Sequence, residues 1–447
     1  MRTSKSYSTP ARVIASVLGA AITLCSTRIV TAQASPGEEG PFLIKGGTIV
    51  NPGGPRMPNT NILIRNNRIV AIGAGAVAAN AKVIDATGKF VYPGMIDANT
   101  GIGLQEIGGV QTMSLRSEMG EFNPHMRALV ALNVESEILG VTRMNGVTTV
   151  MTSPTGGAIS GQAALINTAG WTWEDLAVTR ATGMIMNPPG LNGAGGRGGR
   201  GGGGGGRGGF GGADPAAAAR AAMEFESFMT TAKTYHANRL AGTAKKDIIY
   251  EAMRPVFAKE IPAIITANGE TAIRNAIAFG EKWNVRIVIM GGADAWKVRK
   301  LLAEKNIPLI LGPIEQAPGD DVPYDAIYAQ PGLLYDAGVK FAFSTGNGSN
   351  ARHVAFHAAL AVAYGLPADG ALKALTIWPA EMLGAEKEIG SITTGKLANF
   401  FITTGDPLDL RTQVVEVFIK GREVPNDDRH NRLYLKYKAR PKTITVP

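Results

Sequence analysis

Val91-Tyr-Pro-Gly-Met-Ile-Asp-Ala-Asn-Thr-Gly-Ile-Gly103 is the stretch that decides the fold of this chain. Its first part, Val91–Ile96, is an apolar run that predicts a buried strand. Asp97 and a series of small residues follow, so the chain leaves the strand into a loop, where binding and catalytic groups commonly lie. In that loop Asn99 offers only an amide and Gly101 offers no side chain.

Strand patterns alternate with helical patterns after this stretch, which indicates a parallel sheet. The predicted strands are Val91–Ile96, Val147–Met151, Gly183–Met186, Ile261–Thr266, Arg286–Met290, Pro308–Leu311 and Val339–Ser344. With one more strand between Gln162 and Trp171, the count fits an eight-stranded barrel. We therefore predict an α/β fold with a TIM-like (β/α)8 barrel over residues 91–384.

Short strand patterns with turn residues between them stand on both sides of the barrel segment. In the first group, Asn51-Pro-Gly-Gly-Pro55 breaks the pattern, and the second group comprises Asn399–Thr403 and Val414–Lys420. Neither group can bury its apolar face alone. We predict that residues 41–90 and 385–425 form one small composite β-sandwich.

Residues 1–34 have the pattern of a signal peptide. Basic residues precede the apolar run Val13–Cys25, and Ala32-Gln33-Ala34 supplies a cleavage site with small residues. We expect export to the periplasm or the extracellular space, with no membrane span after cleavage. Cys25 is the only cysteine, so the mature chain has no disulfide and no thiolate ligand.

The formal charge of +9 comes from appendages. Thirteen basic residues lie in the signal peptide, in the Gly/Arg-rich segment 190–212, and after Asp428 in the basic tail 426–447, so the remaining chain is slightly acidic. This distribution gives no reason to expect a nucleic-acid-binding face. Segment 190–212 is predicted to be disordered. Its Arg-Gly-Gly repeats leave RNA binding as a third reading, which export disfavours.

Three sequence blocks resemble the imidazolonepropionase-like amidohydrolases in their order and spacing. The blocks are Ile44-Lys-Gly-Gly-Thr-Ile-Val50 with Arg68–Gly73, Val83–Lys89 and Pro93–Asp97; Asn145-Gly-Val-Thr-Thr-Val150; and Ala374–Ala380 with Leu383-Gly384 and Ile389–Asn399. The resemblance implies the barrel, a bound zinc or another divalent metal, and hydrolysis of carbon–nitrogen bonds other than peptide bonds.

The resemblance also assigns the family's metal positions, and no matching residue is a ligand of the expected kind. Asn99 and Gly101 stand where the family has His-x-His on the first strand. The other matches are Met186 on the fourth strand, Thr266 and Asn268 after the fifth, Gly291 after the sixth, and Gly346 with Asn347 at the eighth. Amides bind transition metals poorly and glycine offers no ligand. We predict a pocket of degenerate metal positions, with no catalytic residue and no metal or other cofactor.

Two functions follow from this pattern. The first is a pseudoenzyme that binds a small molecule or serves as a subunit, either as a homo-oligomer or beside a competent amidohydrolase. The alternative is an active amidohydrolase that works without a metal or with a non-standard metal site. Additional polar residues, Glu106, Arg116, Glu118 and Glu121, are expected to roof the pocket, either as ligand-binding groups or as a solvated loop. His353 and His357 have metal-binding spacing but are expected to be ordinary polar residues of a helix.

Overall fold

Two eight-stranded sheets organise the chain in a computed structural model that describes residues 39–77, 79–106, 114–191, 214–317, 322–425 and 427–440. The predicted signal peptide, nearly all of the Gly/Arg-rich segment and residues 441–447 lie outside the described residues. Within the described part, no helix is both long enough and apolar enough to cross a membrane.

The strands are β1 Phe42–Ile49, β2 Met57–Arg65, β3 Arg68–Ile72, β4 Lys82–Asp85, β5 Phe90–Pro93, β6 Met95–Thr100, β7 Val147–Thr152, β8 Ile159–Asn167, β9 Ala177–Met186, β10 Ala263–Ala267, β11 Ile287–Gly291, β12 Leu309–Leu311, β13 Phe341–Phe343, β14 Phe400–Thr403, β15 Val414–Ile419 and β16 Arg422–Val424. The α-helices are α1 Glu137–Arg143, α2 Trp173–Leu176, α3 Pro215–Leu240, α4 Ile248–Phe257, α5 Glu270–Trp283, α6 Arg299–Glu304, α7 Ala326–Asp336, α8 Val354–Ala363, α9 Ala368–Leu375, α10 Ile377–Met382 and α11 Arg429–Lys438. Short 3-10 helices span Ala128–Ala131, Ala295–Val298 and Gly348–His353.

The first sheet contains strands from both chain ends. Its order is β16-β15-β14-β5-β1-β2-β3, with β4 paired to β1, so the antiparallel pair β5–β14 joins the two ends. The sheet bends far enough for the rings of Phe42 and Phe418 to meet at 5.4 Å, although two strands separate β1 from β15. This bend lets one continuous sheet bury its own apolar core. The predicted β domain formed by both chain ends is confirmed.

The predicted single strand Val91–Ile96 is wrong, because Gly94 divides it between the two sheets. β5 ends at Pro93 in the terminal sheet, and β6 begins at Met95 in the barrel. A Cβ atom at position 94 would lie 1.9 Å from Thr148 Oγ1 on β7, so only glycine lets the chain cross from one sheet to the other here. The barrel therefore begins four residues later than predicted.

The second sheet is the barrel, in the order β13-β12-β11-β10-β9-β8-β7-β6. All seven neighbouring pairs were expected to be parallel, and this expectation fails for the two pairs that include β8. This strand pairs antiparallel with both β7 and β9. The hidden strand between Gln162 and Trp171 therefore exists, but it begins at Ile159 and runs against its neighbours. The TIM-like barrel itself is confirmed.

The barrel closes between its first and last strands through polar groups. The Asp97 carboxylate on β6 accepts hydrogen bonds from the Thr345 backbone N–H at 3.2 and 3.3 Å, and it lies 2.5 Å from Thr345 Oγ1. The Gly346 N–H donates to the Asn99 carbonyl at 3.1 Å. These bonds hold the ends of β6 and β13 together at the mouth of the barrel, which we define as the carboxyl-terminal ends of its parallel strands.

Candidate functional site

The end of β6 is arranged as an amide and hydroxyl pair. Asn99 is partly buried, and its Oδ1 accepts a hydrogen bond of 2.8 Å from Ser153 Oγ, just after β7. The Ser153 backbone N–H in turn donates to the Thr100 carbonyl at 3.2 Å. The side-chain oxygen of Asn99 is therefore bound to the residue after the neighbouring strand, and this bond fixes the orientation of the amide at the mouth.

Arg116 fills the space that the missing side chain of Gly101 leaves. A Cβ atom at position 101 would lie 2.7 Å from Arg116 Cδ, 2.8 Å from Nε and 2.9 Å from Cζ. The guanidinium therefore packs directly over the β6 end, where the family resemblance places an imidazole. Arg116 was expected to roof the pocket as part of the long segment after the first strand, but its contact with Gly101 was not predicted.

Asn268 and Gly291 are in contact at the ends of β10 and β11. A Cβ atom at position 291 would lie 2.2 Å from Asn268 Oδ1, and Gly291 has a positive φ of 104°. Thr266 pairs with Met290 in the ladder and is partly exposed, two residues before Asn268 on the same face of the strand. The structure thus brings together three predicted pocket positions and supplies only amide and hydroxyl groups there.

The assignment of Met186 to the mouth is wrong. Its side chain is fully buried in the core between barrel and helices, whereas Ile185 packs inside the barrel with the other inward strand residues. The next inward position is Asn187, whose Nδ2 donates to the Gly157 carbonyl and to Ser160 Oγ, each at 3.3 Å. Asn187 therefore replaces Met186 in the mouth.

Gly346 lies in the mouth, but Asn347 faces solvent. Gly346 has a φ of 65° and bonds to the Asn99 carbonyl, so the first and last strands meet there. Asn347 is exposed, and its Oδ1 accepts from the Ser349 N–H at 2.8 Å to begin a 3-10 helix. Asn347 consequently has a structural role and is removed from the pocket.

Asp97 is a buried carboxylate at the mouth that the sequence did not assign to the site. Burial raises the pKa of Asp97 to about 7, although the hydrogen bonds from Thr345 and Asn99 lower it. Thr345 Oγ1 has one proton but lies near two acceptors, Asp97 Oδ2 at 2.5 Å and the Asn347 carbonyl at 3.0 Å. A protonated Asp97 satisfies both, because it donates to Thr345, which then donates to Asn347.

The donor set does not fit a divalent metal. Asn99, Gly101, Asn268 and Gly291 supply no imidazole or carboxylate, and Arg116 adds a positive charge against which a dication would have to bind. Throughout the described ranges, no group of three or more His, Cys, Asp and Glu side chains is close enough to hold a metal ion.

His353 and His357 belong to a separate, structural cluster near the mouth. His357 is 2% exposed, its Nδ1 accepts from the Ile314 N–H at 3.2 Å, and its Nε2 lies 3.6 Å from Glu315 Oε2. Burial lowers the pKa of His357, and also that of His353. Because Nδ1 accepts a backbone hydrogen bond, His357 anchors the loop after β12 as a neutral side chain.

Most of the acidic residues predicted to roof the pocket already accept hydrogen bonds from other residues of the chain. Glu106 accepts from Asn133 Nδ2 at 3.1 Å and from Ser136 Oγ at 3.0 Å. Glu121 accepts from the Ala158 N–H at 3.1 Å, and Glu118 is exposed. These contacts indicate that Glu106 and Glu121 hold their loops in position.

Known proteins resemble this chain over its whole fold and in its second half. Residues 218–424 match the sequence model of the Amidohydrolase family. The structure of an amidohydrolase from Thermotoga maritima has a TM-score of 0.74 and 26% identity over 86% of this chain and 99% of its own. Molinate hydrolase, at 18% identity and a TM-score of 0.52 over 92% of this chain and 99% of its own, shares the fold.

Sequence relatives match over short segments. The dihydroorotase of Pelotomaculum thermopropionicum is 43% identical over 56 residues, which are 12% of this chain and 13% of that enzyme. The matches to this and two other curated relatives span between 9% and 14% of the relatives' own lengths. Sequence blocks, barrel and terminal sheet agree with one another, and on these grounds the chain belongs to the amidohydrolase superfamily.

Proposed function

We propose that this protein uses the amidohydrolase barrel to bind a small-molecule ligand and does not hydrolyse it through a bound metal. The observation that carries the proposal is the packing of Arg116 over Gly101, at the position that the resemblance assigns to a metal-binding histidine. Asn99 on the same strand is hydrogen-bonded to Ser153. An arginine side chain and an oriented amide support ligand binding, whereas water activation needs a metal or a general base.

The experiment is to measure metal content and turnover on the same sample. Purified mature protein is dialysed against zinc, manganese or iron, passed through gel filtration and assayed for metal per chain. It is then incubated with amides, lactams and cyclic imides. We expect well below one metal per chain and no turnover above buffer. Stoichiometric metal together with turnover of any of these substrates contradicts the proposal.

The competing function is hydrolysis of a carbon–nitrogen bond other than a peptide bond. Superfamily membership and the full-length likeness to the Thermotoga maritima amidohydrolase favour it. It would require ligands or a base outside the predicted positions, and turnover in the experiment above would select it. Metal without turnover would instead indicate a structural metal site and would leave ligand binding as the function.

We further propose that the mature protein is exported after loss of residues 1–34 and that it acts as a homo-oligomer or beside a competent amidohydrolase. The sequence pattern of residues 1–34 supports export. Amino-terminal sequencing of protein from the cell envelope and medium tests it, with Ser35 as the expected first residue. A chain that retains its first 34 residues in the cytoplasm contradicts it.

A further inference from the structure

The helix α11 lies on the surface of the protein and is attached to it through its first turn. All ten residues of α11, Arg429–Lys438, are exposed or partly exposed. Asp428 caps the helix, because its Oδ1 accepts from the backbone N–H of His430 at 2.6 Å. Arg432 binds both carboxylate oxygens of Glu137 on α1 at 2.7 Å. These contacts fix the start of α11, and its later turns present their side chains to solvent.

One side of α11 exposes large apolar side chains. Leu433 and Tyr437 are four residues apart and therefore lie on the same face of the helix, and Tyr434 borders them. The exposed fraction is 38% for Leu433 and 61% for each of the two tyrosines. A helix on a globular protein normally turns such residues towards the core, so this face is available for a partner outside the described chain.

Lysines stand at the borders of this apolar face. Lys436 and Lys438 are both exposed, and their Nζ atoms lie over the rings of Tyr437 at 5.8 Å and Tyr434 at 5.5 Å. From residue 429 to residue 447 the sequence contains lysines and arginines but no aspartate or glutamate. Each lysine stem can lie along a ring while its charge reaches outward, so the apolar face and the positive charge can meet the same surface.

This combination fits the surface of an anionic lipid bilayer. Interfacial helices bury leucine and aromatic side chains at the level of the headgroups and place lysines against the negative charge. Tyrosine suits that level because its ring is apolar and its hydroxyl is polar. A second copy of α11 would bring like charges together, which disfavours self-association through this face. A nucleic acid would pair with the lysines and stack on the tyrosines, but it would leave Leu433 exposed.

We propose that α11 is a peripheral anchor that binds the mature protein to anionic phospholipid. Leu433, Tyr434 and Tyr437 insert among the headgroups, and Lys436 and Lys438 lie beside them against the lipid phosphates. The apolar face is small, so attachment needs both the apolar contacts and the charges, and it weakens as the salt concentration rises. The anchor is outside the barrel mouth and goes beyond the proposed ligand-binding function.

The test measures co-sedimentation of the mature protein with two kinds of vesicle, one of phosphatidylcholine alone and one of phosphatidylcholine and phosphatidylglycerol in equal parts. Residues 1–34 are omitted because their apolar run could itself enter lipid. The charge variant combines Lys436→Gln and Lys438→Gln. Its control combines Lys245→Gln and Lys246→Gln, at two exposed lysines between α3 and α4.

A second variant tests the apolar face. It combines Tyr434→Ser and Tyr437→Ser, and its control is Tyr324→Ser, at a tyrosine that is 73% exposed. Thermal unfolding checks that each variant is folded, which we expect because all five residues of the two variants and this control are exposed. Binding to a double-stranded RNA is measured in parallel.

We expect saturable binding to the anionic vesicles, binding about tenfold weaker or less to phosphatidylcholine alone, and weaker binding as the salt concentration rises. The charge variant should bind the anionic vesicles about tenfold more weakly, and the tyrosine variant about threefold or more, whereas both controls should match the wild type. Failure of the wild type to bind, equal binding to both vesicles, or unchanged affinity in either folded variant overturns the inference. Tighter binding to the RNA than to the anionic vesicles, with loss in the charge variant, overturns it in favour of a nucleic-acid partner.

Discussion

Two arginines, one at each end of the barrel, differ in the charges around them. Arg116 lies at the mouth, where burial lowers its pKa and no described carboxylate raises it. Arg143 ends α1 at the opposite end and is 3% exposed, and burial lowers its pKa while Asp427, Asp428 and Glu137 raise it. The same side chain is thus embedded among carboxylates at one end and placed alone at the other.

The difference separates a structural cation from one that is available to a ligand. Arg143 Nη1 donates to the Thr168 carbonyl at 3.3 Å, and Nη2 lies 3.6 Å from Asp427 Oδ1. Arg432 on α11 binds both oxygens of Glu137 on α1 at 2.7 Å. A cleft of about 210 Å³ lies beside this network, in which two arginines face three carboxylates of the protein itself. No described carboxylate faces Arg116 in the same way.

The largest expected effect concerns Asp97, the buried carboxylate that joins β6 to the residues after β13. Its pKa is raised from 3.8 to about 7, so the folded protein holds this proton more tightly than the unfolded chain does. Its contribution to stability is present below about pH 4 and is lost as the pH rises to about 7. Relative to Asp97→Asn, the free energy of unfolding of the wild type should fall across this range by at most about 4 kcal/mol.

Urea denaturation of both proteins between about pH 4 and pH 8 measures this difference. The Asn side chain preserves the hydrogen bond between positions 97 and 345, because its amide can donate to Thr345 Oγ1 as a protonated carboxyl can. A difference that does not change with pH would mean that Asp97 has the same pKa in the folded and the unfolded chain, which would contradict the effect of its burial.

Arg143→Met should lower the free energy of unfolding by about 3 kcal/mol, since it removes one member of a largely buried charge network. The partner Asp427 has 41% of its side chain exposed, which moderates the loss. Arg220→Met is the control, because Arg220 is 72% exposed and its pair with Asp214 should contribute less than about 1 kcal/mol. If urea denaturation gave equal losses for Arg143→Met and Arg220→Met, Arg143 would not be a structural cation, and the two ends of the barrel would not differ in this way.

Gly101→Ala should displace Arg116 at a cost of about 1 kcal/mol in the free energy of unfolding. The new Cβ would come within 2.7 Å of Cδ and 2.9 Å of Cζ, which belong to the distal part of a flexible side chain. Gly75→Ala, where a Cβ meets open space, is the matched control. Equal stability of Gly101→Ala and Gly75→Ala would show that the guanidinium does not pack against Gly101.

Arg116→Met should change the free energy of unfolding by less than about 1 kcal/mol, in either direction, because no described carboxylate loses its partner. Urea denaturation beside Arg143→Met gives the direct contrast. A loss of unfolding free energy as large as that of Arg143→Met would show that Arg116 supports the structure of the loop and is not available to a ligand.

The fold could be predicted from the sequence because strand and helix patterns and three ordered blocks agree. The predictions that failed concerned the direction of a strand and a contact between residues that are distant in the sequence. The antiparallel direction of β8 has a weak signal, the absence of a helical pattern between β7 and Ile159. The division of Val91–Ile96 at Gly94 has a stronger one, the Pro93-Gly94 pair, but the need for glycine there comes from Thr148 on another strand.

The site was predictable at the ends of β6, β10, β11 and β13, and not at the end of β9. Asn99, Gly101 and Gly346 lie together at the seam of β6 and β13. Met186 was misassigned because which face of β9 points inward is set by its neighbours, and a one-residue shift exchanges the faces. Arg116 was expected to roof the pocket, but it lies on a loop without periodicity, so its contact with Gly101 could not be predicted.

The central claim is that Arg116 occupies the place of a metal-binding histidine at the mouth. The most direct measurement is a crystal structure of the mature protein soaked in zinc, with anomalous difference maps at the zinc edge. The account predicts the Arg116 guanidinium over Gly101 and no anomalous peak bonded to Asn99. An anomalous peak at the end of β6, coordinated by Asn99 and with Arg116 moved away from Gly101, would contradict it.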